Sequence, residues 1–229
     1  MRYIQFWIGW CLLLLISGIL GAINQGADHG SDFQKQDHYF GDELPGMKPI
    51  LFAPGIVSGP DKEHSNPAIS LNGKEIYWSV WPKGSGKTRS PQVIRVSKFV
   101  KGKWTKPRIV SFSGQYMDGG PSFSPDGKTL YFYSNRPRKK GQDKSPDLNI
   151  WRVDRKGSGW SEPVLMPEPI NSNDDEAGPY LDRDGTFFLM RKKKKGLSDI
   201  YAFRLKDGQY LSGKKLSINR PDARESTFS

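Results

Sequence analysis

Residues 121–136 read PSFSPDGKTLYFYSNR, and this stretch decides the fold. An Asp-Gly pair separates a short segment that begins with proline from a segment rich in aromatic residues. Asp-Gly between two such segments is typical of a tight hairpin turn, because glycine readily adopts the left-handed backbone conformation that the turn requires. The stretch therefore predicts a first strand, a hairpin turn and an aromatic-rich second strand.

The same pattern occurs three times along the chain. Its proline lies at positions 67, 121 and 179, and the turn reads Asn-Gly or Asp-Gly in PAISLNG at 67–73, in the quoted stretch and in PYLDRDG at 179–185. Each turn leads into a predicted second strand, at 75–80, 129–135 and 186–190. Third strands are predicted at 93–97, 148–153 and 199–205. An aromatic-x-x-Pro motif at 104–107 and 160–163, with a weaker counterpart at 210–213, opens a fourth strand.

Four strands per copy predict an all-β fold, a β-propeller of four-stranded antiparallel blades, at a spacing slightly above the roughly 40–50 residues usual for a blade. The content of 25 glycines and 17 prolines suits short strands joined by turns. We place three complete blades at about 64–112, 118–167 and 175–217 within a propeller region at 50–229. Their core is expected to include Trp78, Phe132, Trp151, Phe188 and Tyr201.

Two incomplete elements flank these blades. Residues 52–57 (FAPGIV) are predicted to form an N-terminal strand that closes the ring by pairing with the last blade. Residues 225–229 (ESTFS) resemble the first strand of a further blade. Since three blades cannot close a ring, we expect a C-terminally truncated fragment of a longer propeller. An open fan that dimerises is the alternative.

Residues 121–136 resemble the WD40-like (PD40) propeller repeat of the TolB type. GLSDIY at 196–201 and GKWTKP at 102–107 are also similar to that family, and the resemblance covers residues 50–229. The first and third copies depart from it at Leu71-Asn72 and Arg183-Asp184, where the family has Pro-Asp. The resemblance implies a bacterial envelope protein of usually about six blades. It implies no single function, because such repeats serve as protein-binding rings, as gates on peptidases and as enzymes.

The N-terminal residues predict export. An apolar run at 6–23 follows Arg2, which is typical of a signal peptide and is also long enough for an uncleaved anchor. We assign 1–27 to a signal peptide or N-terminal membrane anchor and 28–49 to a linker. The remainder is expected in the periplasm or outer cell envelope, with membrane contact only through the N-terminal segment. The single cysteine, Cys11, lies in the apolar run, so the propeller region has no disulfide and no cysteine ligand.

Motifs for nucleotide binding and histidine chemistry are incomplete. GSGKT at 84–88 resembles the end of a phosphate-binding loop, but Trp81 stands where that loop needs its first glycine. The three histidines, His29, His38 and His64, all precede the first complete blade, so no catalytic triad is predicted. The sequence predicts no cofactor.

Carboxylates recur shortly before the repeated prolines. In a propeller the loop before an inner strand opens toward the central channel, so these side chains are expected to surround its mouth. There they could bind a basic peptide, an amine or a cation such as calcium. Loop solubility and turn capping are the competing explanation. This acidic mouth comprises Glu63, Asp118, Asp175 and Glu176.

Cations recur in the loops between second and third strands, on the same end of each blade as the acidic mouth. With a net charge of +11, they favour anionic polymers or lipid headgroups as partners. Nucleic acid is not expected, because an exported chain seldom meets it. Ordinary solvated loops are again the competing explanation. The predicted basic rim comprises Arg136, Arg138, Lys139, Lys140, Arg191, Lys192, Lys193, Lys194 and Lys195.

Two classes of function follow from these features. The sequence favours a non-catalytic binding or scaffold protein of the periplasm or envelope, whose charged face binds an envelope protein, a peptide or an anionic polymer. The alternative is a propeller enzyme, a glycan lyase or hydrolase whose acidic channel residues do acid–base work. Binding is favoured because Asp182 is the only further carboxylate in the predicted inner strands. The oligomeric state stays open.

Overall fold

The computed structural model describes residues 47–59, 61–63, 65, 67–82, 91–193 and 197–217, with the backbone alone at 62 and 63. Within these ranges every regular element is a β-strand and there is no helix. The strands form three large antiparallel sheets and one two-stranded ribbon. The predicted all-β fold of antiparallel propeller blades is confirmed.

The first blade is built around two long central strands. Its inner strand is split in two, because β1 and β2 both pair with β3, and β1 lies ahead of residue 64, the predicted start of this blade. The outer edge consists of β5 and β6, which both pair with β4. The strands are β1 (Lys62–Glu63), β2 (Ala68–Ile69), β3 (Glu75–Trp81), β4 (Val93–Val100), β5 (Lys103–Trp104) and β6 (Arg108–Ile109).

The second and third blades repeat this order without the split. The second contains β7 (Asp118–Phe123), β8 (Thr129–Ser134), β9 (Asn149–Lys156), β10 (Gly159–Trp160) and β11 (Val164–Leu165). The third contains β12 (Asp175–Leu181), β13 (Phe187–Lys192), β14 (Ser198–Phe203) and β17 (Lys214–Lys215). A ribbon of β15 (Leu205–Lys206) and β16 (Gln209–Tyr210) lies between its last two strands. The aromatic residue of each aromatic-x-x-Pro motif is the last residue of the short strand β5, β10 or β16, which forms a hairpin with the strand before it. The fourth strand begins directly after the proline of the motif, or after Gly213 in blade 3.

The three predicted hairpin turns have one geometry. Gly73, Gly127 and Gly185 have φ values of 65°, 68° and 84°, in the left-handed region. The preceding Asn or Asp side chain accepts a hydrogen bond from the backbone amide two residues later, as Asp126 does from Lys128 at 3.0 Å. This local bond stabilises the turn without any tertiary contact, which is why the pattern could be recognised from the sequence.

The core lies between neighbouring blades. Side chains of a strand alternate between the two faces of its sheet, so β8 serves both neighbours. Leu130 and Phe132 pack toward blade 1, whereas Tyr131 and Tyr133 pack toward blade 3. Partners in blade 1 are Tyr77, Ile94, Val96 and Val110, and partners in blade 3 are Ala177, Phe187, Leu189 and Phe203. Each such burial contributes about 1.5–3 kcal/mol, so a blade depends on its neighbours for stability.

The predicted core is confirmed in part. Trp78, Phe132 and Trp151 are buried. Phe188 and Tyr201 are only half-buried. Phe188 points to the face of blade 3 that is opposite to blade 2, because it alternates with the buried Phe187 and Leu189 along β13.

The predicted N-terminal closing strand at 52–57 is wrong. The amide of Val57 donates to the carbonyl of Ala53 at 2.9 Å, so the chain turns here. Ala53 and Gly55 have φ values of 43° and 79°, which an extended strand excludes. Ala53 and Val57 are nevertheless buried in one cluster with Trp78. The segment therefore covers the apolar face of blade 1 as a compact turn.

Other predicted segments lie outside the described residues. They are the signal peptide or anchor at 1–27 and the first strand of a further blade at 225–229. Of the linker at 28–49, only residues 47–49 are described. Ring closure and a total of about six blades stay predictions.

The inner strands of blades 2 and 3 each contain a bulge that includes the repeated proline and the glycine before it. The pairing register shifts across Gly120 in β7 and across Gly178 in β12. The two glycines have φ values of 57° and 59°. A Cβ atom on Gly120 would lie 2.8 Å from Cε1 of Tyr133, so the ring passes directly over the bulge.

We expect Gly120→Ala to lower the free energy of unfolding more than Gly141→Ala. Both positions have positive φ, which costs an alanine about 1–2 kcal/mol. Only Gly120 adds a clash with Tyr133, whereas Gly141 has no atom within 4 Å of the added Cβ. Urea unfolding of the two variants measures the difference. Equal losses would show that the ring of Tyr133 does not require the absence of a Cβ atom at position 120.

Candidate functional site

Every blade has two ends with different roles. We call one end the loop face; it carries the loops between consecutive blades, at 110–117 and 166–174, and the loop at 135–148 between β8 and β9. The opposite end, the hairpin face, carries the Asn-Gly and Asp-Gly turns. The predicted acidic mouth and basic rim both belong to the loop face, because β7 and β12 begin there and β8 and β13 end there.

Asp118 and Arg136 form a buried ion pair at the start of β7. Nη2 of Arg136 lies 2.8 Å from Oδ1 of Asp118 and donates to the carbonyl of Phe112 at 3.0 Å. The hydroxyl of Ser113 donates to the other carboxylate oxygen at 2.8 Å. Asp118 is fully buried, and Arg136 is 7% exposed. The arginine stacks 4.9 Å from the ring centre of Phe132. The pair thus ties blade 2 to the loop that leaves blade 1.

Glu176 and Arg191 form the corresponding pair in blade 3. Nε of Arg191 donates to Oε1 of Glu176 at 2.8 Å, and its Nη2 donates to the carbonyls of Pro169 and Ile170 at 2.9 and 3.1 Å. Ser172 also donates to Oε1 of Glu176. The other carboxylate oxygen of Glu176, Oε2, is buried and has no hydrogen-bond partner among the described residues. Burial raises the pKa of Glu176, although Ser172 and Arg191 oppose this shift.

The two pairs occupy equivalent places. Asp118 is opposite Ser134 at the end of β8, and Glu176 is opposite Arg191 near the end of β13. The backbone of Glu63 is opposite Val80 near the end of β3, which is the same place in blade 1. The side chain of Glu63 lies outside the described residues.

The sequence predicts an acidic mouth separate from a basic rim, but the structure brings members of the two sets together. Two members of each predicted set pair with each other, and these four side chains are withdrawn from the surface. Arg136 is buried, and the side chain of Arg191 is only 14% exposed. The physical reason is that a buried carboxylate without a counter-charge costs several kcal/mol. Asp175 is half-buried and accepts a hydrogen bond from the amide of Leu148 at 2.9 Å.

The other predicted cations divide between exposed and paired positions. Arg138 is half-buried and pairs with Asp147 at 2.6 Å. Lys194 and Lys195 lie outside the described residues. The exposed lysines of the loop face, none of which forms an ion pair with another described residue, are Lys139, Lys140, Lys144, Lys192 and Lys193.

An open pocket of about 640 Å³ lies on the loop face between the 135–148 loop and Asn173. Among the residues that the structure describes, no group of three or more His, Cys, Asp or Glu side chains is placed to hold a metal ion. Within the same residues, no helix has the length and apolar character needed to span a membrane.

Sequence reasoning missed a buried polar chain between blades 1 and 2. The hydroxyl of Tyr133 donates to Oε1 of Gln92 at 3.0 Å, and Nε2 of Gln92 donates to the hydroxyl of Ser79 at 3.1 Å. Burial raises the pKa of Tyr133 to about 12, so its hydroxyl stays protonated and donates. The sequence signal for this chain was the presence of polar residues within or beside apolar strands, namely Ser79 in β3 and Gln92 just before β4.

A second missed contact joins the same blades at the hairpin face. Glu75 accepts hydrogen bonds from Lys98 at 2.6 Å and from Arg155 of blade 2. The guanidinium of Arg155 stacks 4.0 Å from the ring centre of Trp160. Burial would raise the pKa of Glu75, but the bonds from Lys98 and Arg155 outweigh it and lower the pKa.

No protein-family model and no curated protein matches this chain. Solved structures do show similarity. A puromycin-hydrolyzing peptidase from Mycobacterium tuberculosis has 19% identity and a TM-score of 0.47, over 69% of this chain and 23% of that one. TolB from Acinetobacter baumannii has 17% identity and a TM-score of 0.41, over 66% of this chain and 32% of that one.

The chain thus spans less than a third of the length of each of these two structures. Both TM-scores lie below 0.5. The propeller assignment therefore rests on the sheets of this chain and on the packing between its blades.

We expect Asp118→Asn to lower the free energy of unfolding by about 3 kcal/mol, because it leaves Arg136 buried without a counter-charge. The matched control is Asp154→Asn, in a pair with Arg152 whose side chains are 43% and 42% exposed. That change should cost less than about 1 kcal/mol. Urea unfolding measures both values. Similar losses would mean that the buried pair does not stabilise the fold.

The two glutamates should respond to pH in opposite directions. Folding lowers the pKa of Glu75, so its contribution to stability is present above its ordinary value of 4.5 and is lost as the pH falls through the folded pKa. Folding raises the pKa of Glu176, so stability declines as the pH rises from 4.5 through the raised value. Relative to the parent chain, the destabilisation by Glu75→Gln should therefore grow with pH, and that by Glu176→Gln should shrink.

Urea unfolding at several pH values between about 4 and 7 tests this contrast. If both differences changed in the same direction, the assignment of opposite pKa shifts would be wrong.

Proposed function

We propose that this protein is a non-catalytic binding protein of the bacterial envelope, and that its loop face binds an anionic partner. The observation that carries the proposal is the distribution of charge on this face. Its buried carboxylates, Asp118 and Glu176, are already paired with arginines. Five lysines, at 139, 140, 144, 192 and 193, are exposed.

Pairing within the fold changes the balance of charge that a partner meets. The ion pairs of Arg136 and Arg191 are internally neutral, so they contribute little to the surface potential. The five exposed lysines then outnumber Asp143 and Glu168, the exposed carboxylates among the described residues of this face, and attract anions over a Debye length of about 10 Å at 0.1 M salt. Electrostatic attraction of this kind accelerates association and selects partners of opposite charge.

The buried pairs also support binding over catalysis. A general acid or base must reach the proton that it transfers on the substrate. Both oxygens of Asp118 accept hydrogen bonds from side chains of the protein, and Glu176 has no exposed surface. These carboxylates therefore suit the structural role of holding the loops, and not the acid–base role of a glycan lyase or hydrolase.

The envelope location is supported by the sequence. The apolar run at 6–23 is typical of export, and the propeller region contains no cysteine. An envelope protein, a peptide and an anionic polymer are the partner classes that match an exported cationic face.

We expect the triple variant Lys139→Glu, Lys140→Glu, Lys144→Glu to bind a fluorescently labelled oligogalacturonate about tenfold more weakly at low ionic strength. The matched control reverses three exposed lysines of the hairpin face, Lys101, Lys103 and Lys128. Fluorescence anisotropy measures both affinities. The difference should disappear at about 1 M salt, where the Debye length is near 3 Å.

The two variants have the same net charge. Equal losses of affinity would therefore mean that the polymer responds to total charge, and the loop face would not be the binding surface. No binding by the parent chain at low salt would contradict the proposed function itself.

A further inference from the structure

We propose that the pocket beside the 135–148 loop binds an extended peptide segment with spaced acidic residues. This inference rests on the proposed binding function and names its ligand class. The pocket measures about 640 Å³, which is within the range of about 300–1,000 Å³ typical of ligand sites. It is lined by Arg138, Gly141, Gln142, Asp143, Lys144, Ser145, Pro146, Asp147 and Asn173.

The wall formed by the 135–148 loop is held by its own polar contacts. Nη2 of Arg138 donates to Oδ2 of Asp147 at 2.6 Å. The hydroxyl of Ser145 donates to Oδ1 of Asp147 at 2.6 Å, and its amide donates to the carbonyl of Asn135 at 2.8 Å. Ser145 and Asp147 are both buried. The loop is therefore preorganised, which reduces the entropy lost on binding.

The opposite wall is the loop at 166–174 that leads to blade 3. Arg138 donates to the carbonyl of Ser172, and the hydroxyl of Ser172 donates to Glu176. Asn171 is buried and bonds to the backbone of Ile150 in both directions, at 2.7 and 2.9 Å. Asn173 lies between these anchored residues with its side chain exposed. Arg138 thus contacts both walls of the pocket. The wall at 166–174 is also held by Glu176, which accepts from Ser172 and pairs with Arg191.

The groups that remain available to a ligand favour a peptide. Nη2 of Arg138 is used by Asp147 and Ser172, but the arginine side chain is 30% exposed and keeps further N–H donors. The other exposed polar groups are the amides of Gln142 and Asn173, the ammonium of Lys144 and the carboxylate of Asp143. A side-chain amide both donates and accepts, which matches the peptide group. Among the described residues, the lining contains no aromatic side chain on which a sugar ring or a base could stack.

Charge around the pocket sets the preferred side chains. Lys139 and Lys140 directly precede the lining residue Gly141 and are exposed, so acidic side chains are favoured. Asp143 lies in the same lining and repels an unbroken run of carboxylates. The best fit is a segment in which acidic residues alternate with small neutral ones.

The test compares two anionic probes on the full chain in non-ionic detergent. One is a fluorescein-labelled peptide that alternates glutamate with glycine and serine; the other is the labelled oligogalacturonate, which carries carboxylates but no peptide groups. The double variant Gln142→Ala, Asn173→Ala should weaken peptide binding about tenfold, as expected for two lost hydrogen bonds. Binding of oligogalacturonate should stay within about twofold.

A matched control is available in the preceding blade. Gln115 is exposed and lies two residues after Ser113, as Asn173 lies two residues after Asn171. Ser113 and Asn171 accept from the amides of Ile94 and Ile150, so their loops correspond. Gln115→Ala should leave the binding of both probes unchanged. Asn173→Asp retains the side-chain size and should also weaken peptide binding.

The outcomes separate this inference from the proposed function. If the double variant weakens both probes equally, or neither, the pocket is not a peptide site. The same holds if the parent chain binds oligogalacturonate but not the peptide, and in each of these cases the anionic loop face stands. If neither probe binds the parent chain, the proposed function fails together with the inference.

Discussion

The structure depends on burial of both faces of each sheet against the neighbouring blades. On β8 this constraint is visible residue by residue, because Leu130 and Phe132 are covered by blade 1 while Tyr131 and Tyr133 are covered by blade 3. A single four-stranded sheet has no core of its own. The same requirement explains why residues 52–57 fold over Trp78: the apolar face of blade 1 needs a cover, and a turn satisfies it.

Packing between blades brings the connecting loops over the ends of the sheets, where their backbone groups need partners. Arg136 and Arg191 supply these partners, since each binds a carboxylate of an inner strand together with loop carbonyls. The cost of burying charge is offset by the ion pair and by the additional hydrogen bonds. The loop face thus keeps five lysines exposed and buries Asp118, Asp147 and Glu176, and the loops around the pocket are held by contacts within the protein.

Local patterns made most of the fold predictable. The turn at Asp126-Gly127 is stabilised by bonds within a few residues, so it could be recognised without tertiary information. The segment FAPGIV at 52–57 misled because its apolar residues suit a strand equally well, and only the positive φ of Ala53 and Gly55 shows the turn. The candidate site was predictable in its residues but not in its arrangement. Asp118 and Arg136 are far apart in the chain, and sequence alone does not show that a carboxylate and a cation assigned to separate zones share one buried position.

The sequence by itself determined the repeat, the antiparallel strand order and the hairpin turns, because these depend on side-chain alternation and on glycine and Asx chemistry within each copy. It also indicated which end of the blades carries Lys139 and Lys140, since their positions follow from the strand order. Only the tertiary structure decided which charges are paired within the fold and which remain exposed to solvent. Arg136, Arg138 and Arg191 cannot be told from Lys139 and Lys140 by type or spacing. The three arginines pair with the buried carboxylates of Asp118, Asp147 and Glu176, which require a counter-charge, whereas the two lysines remain in water.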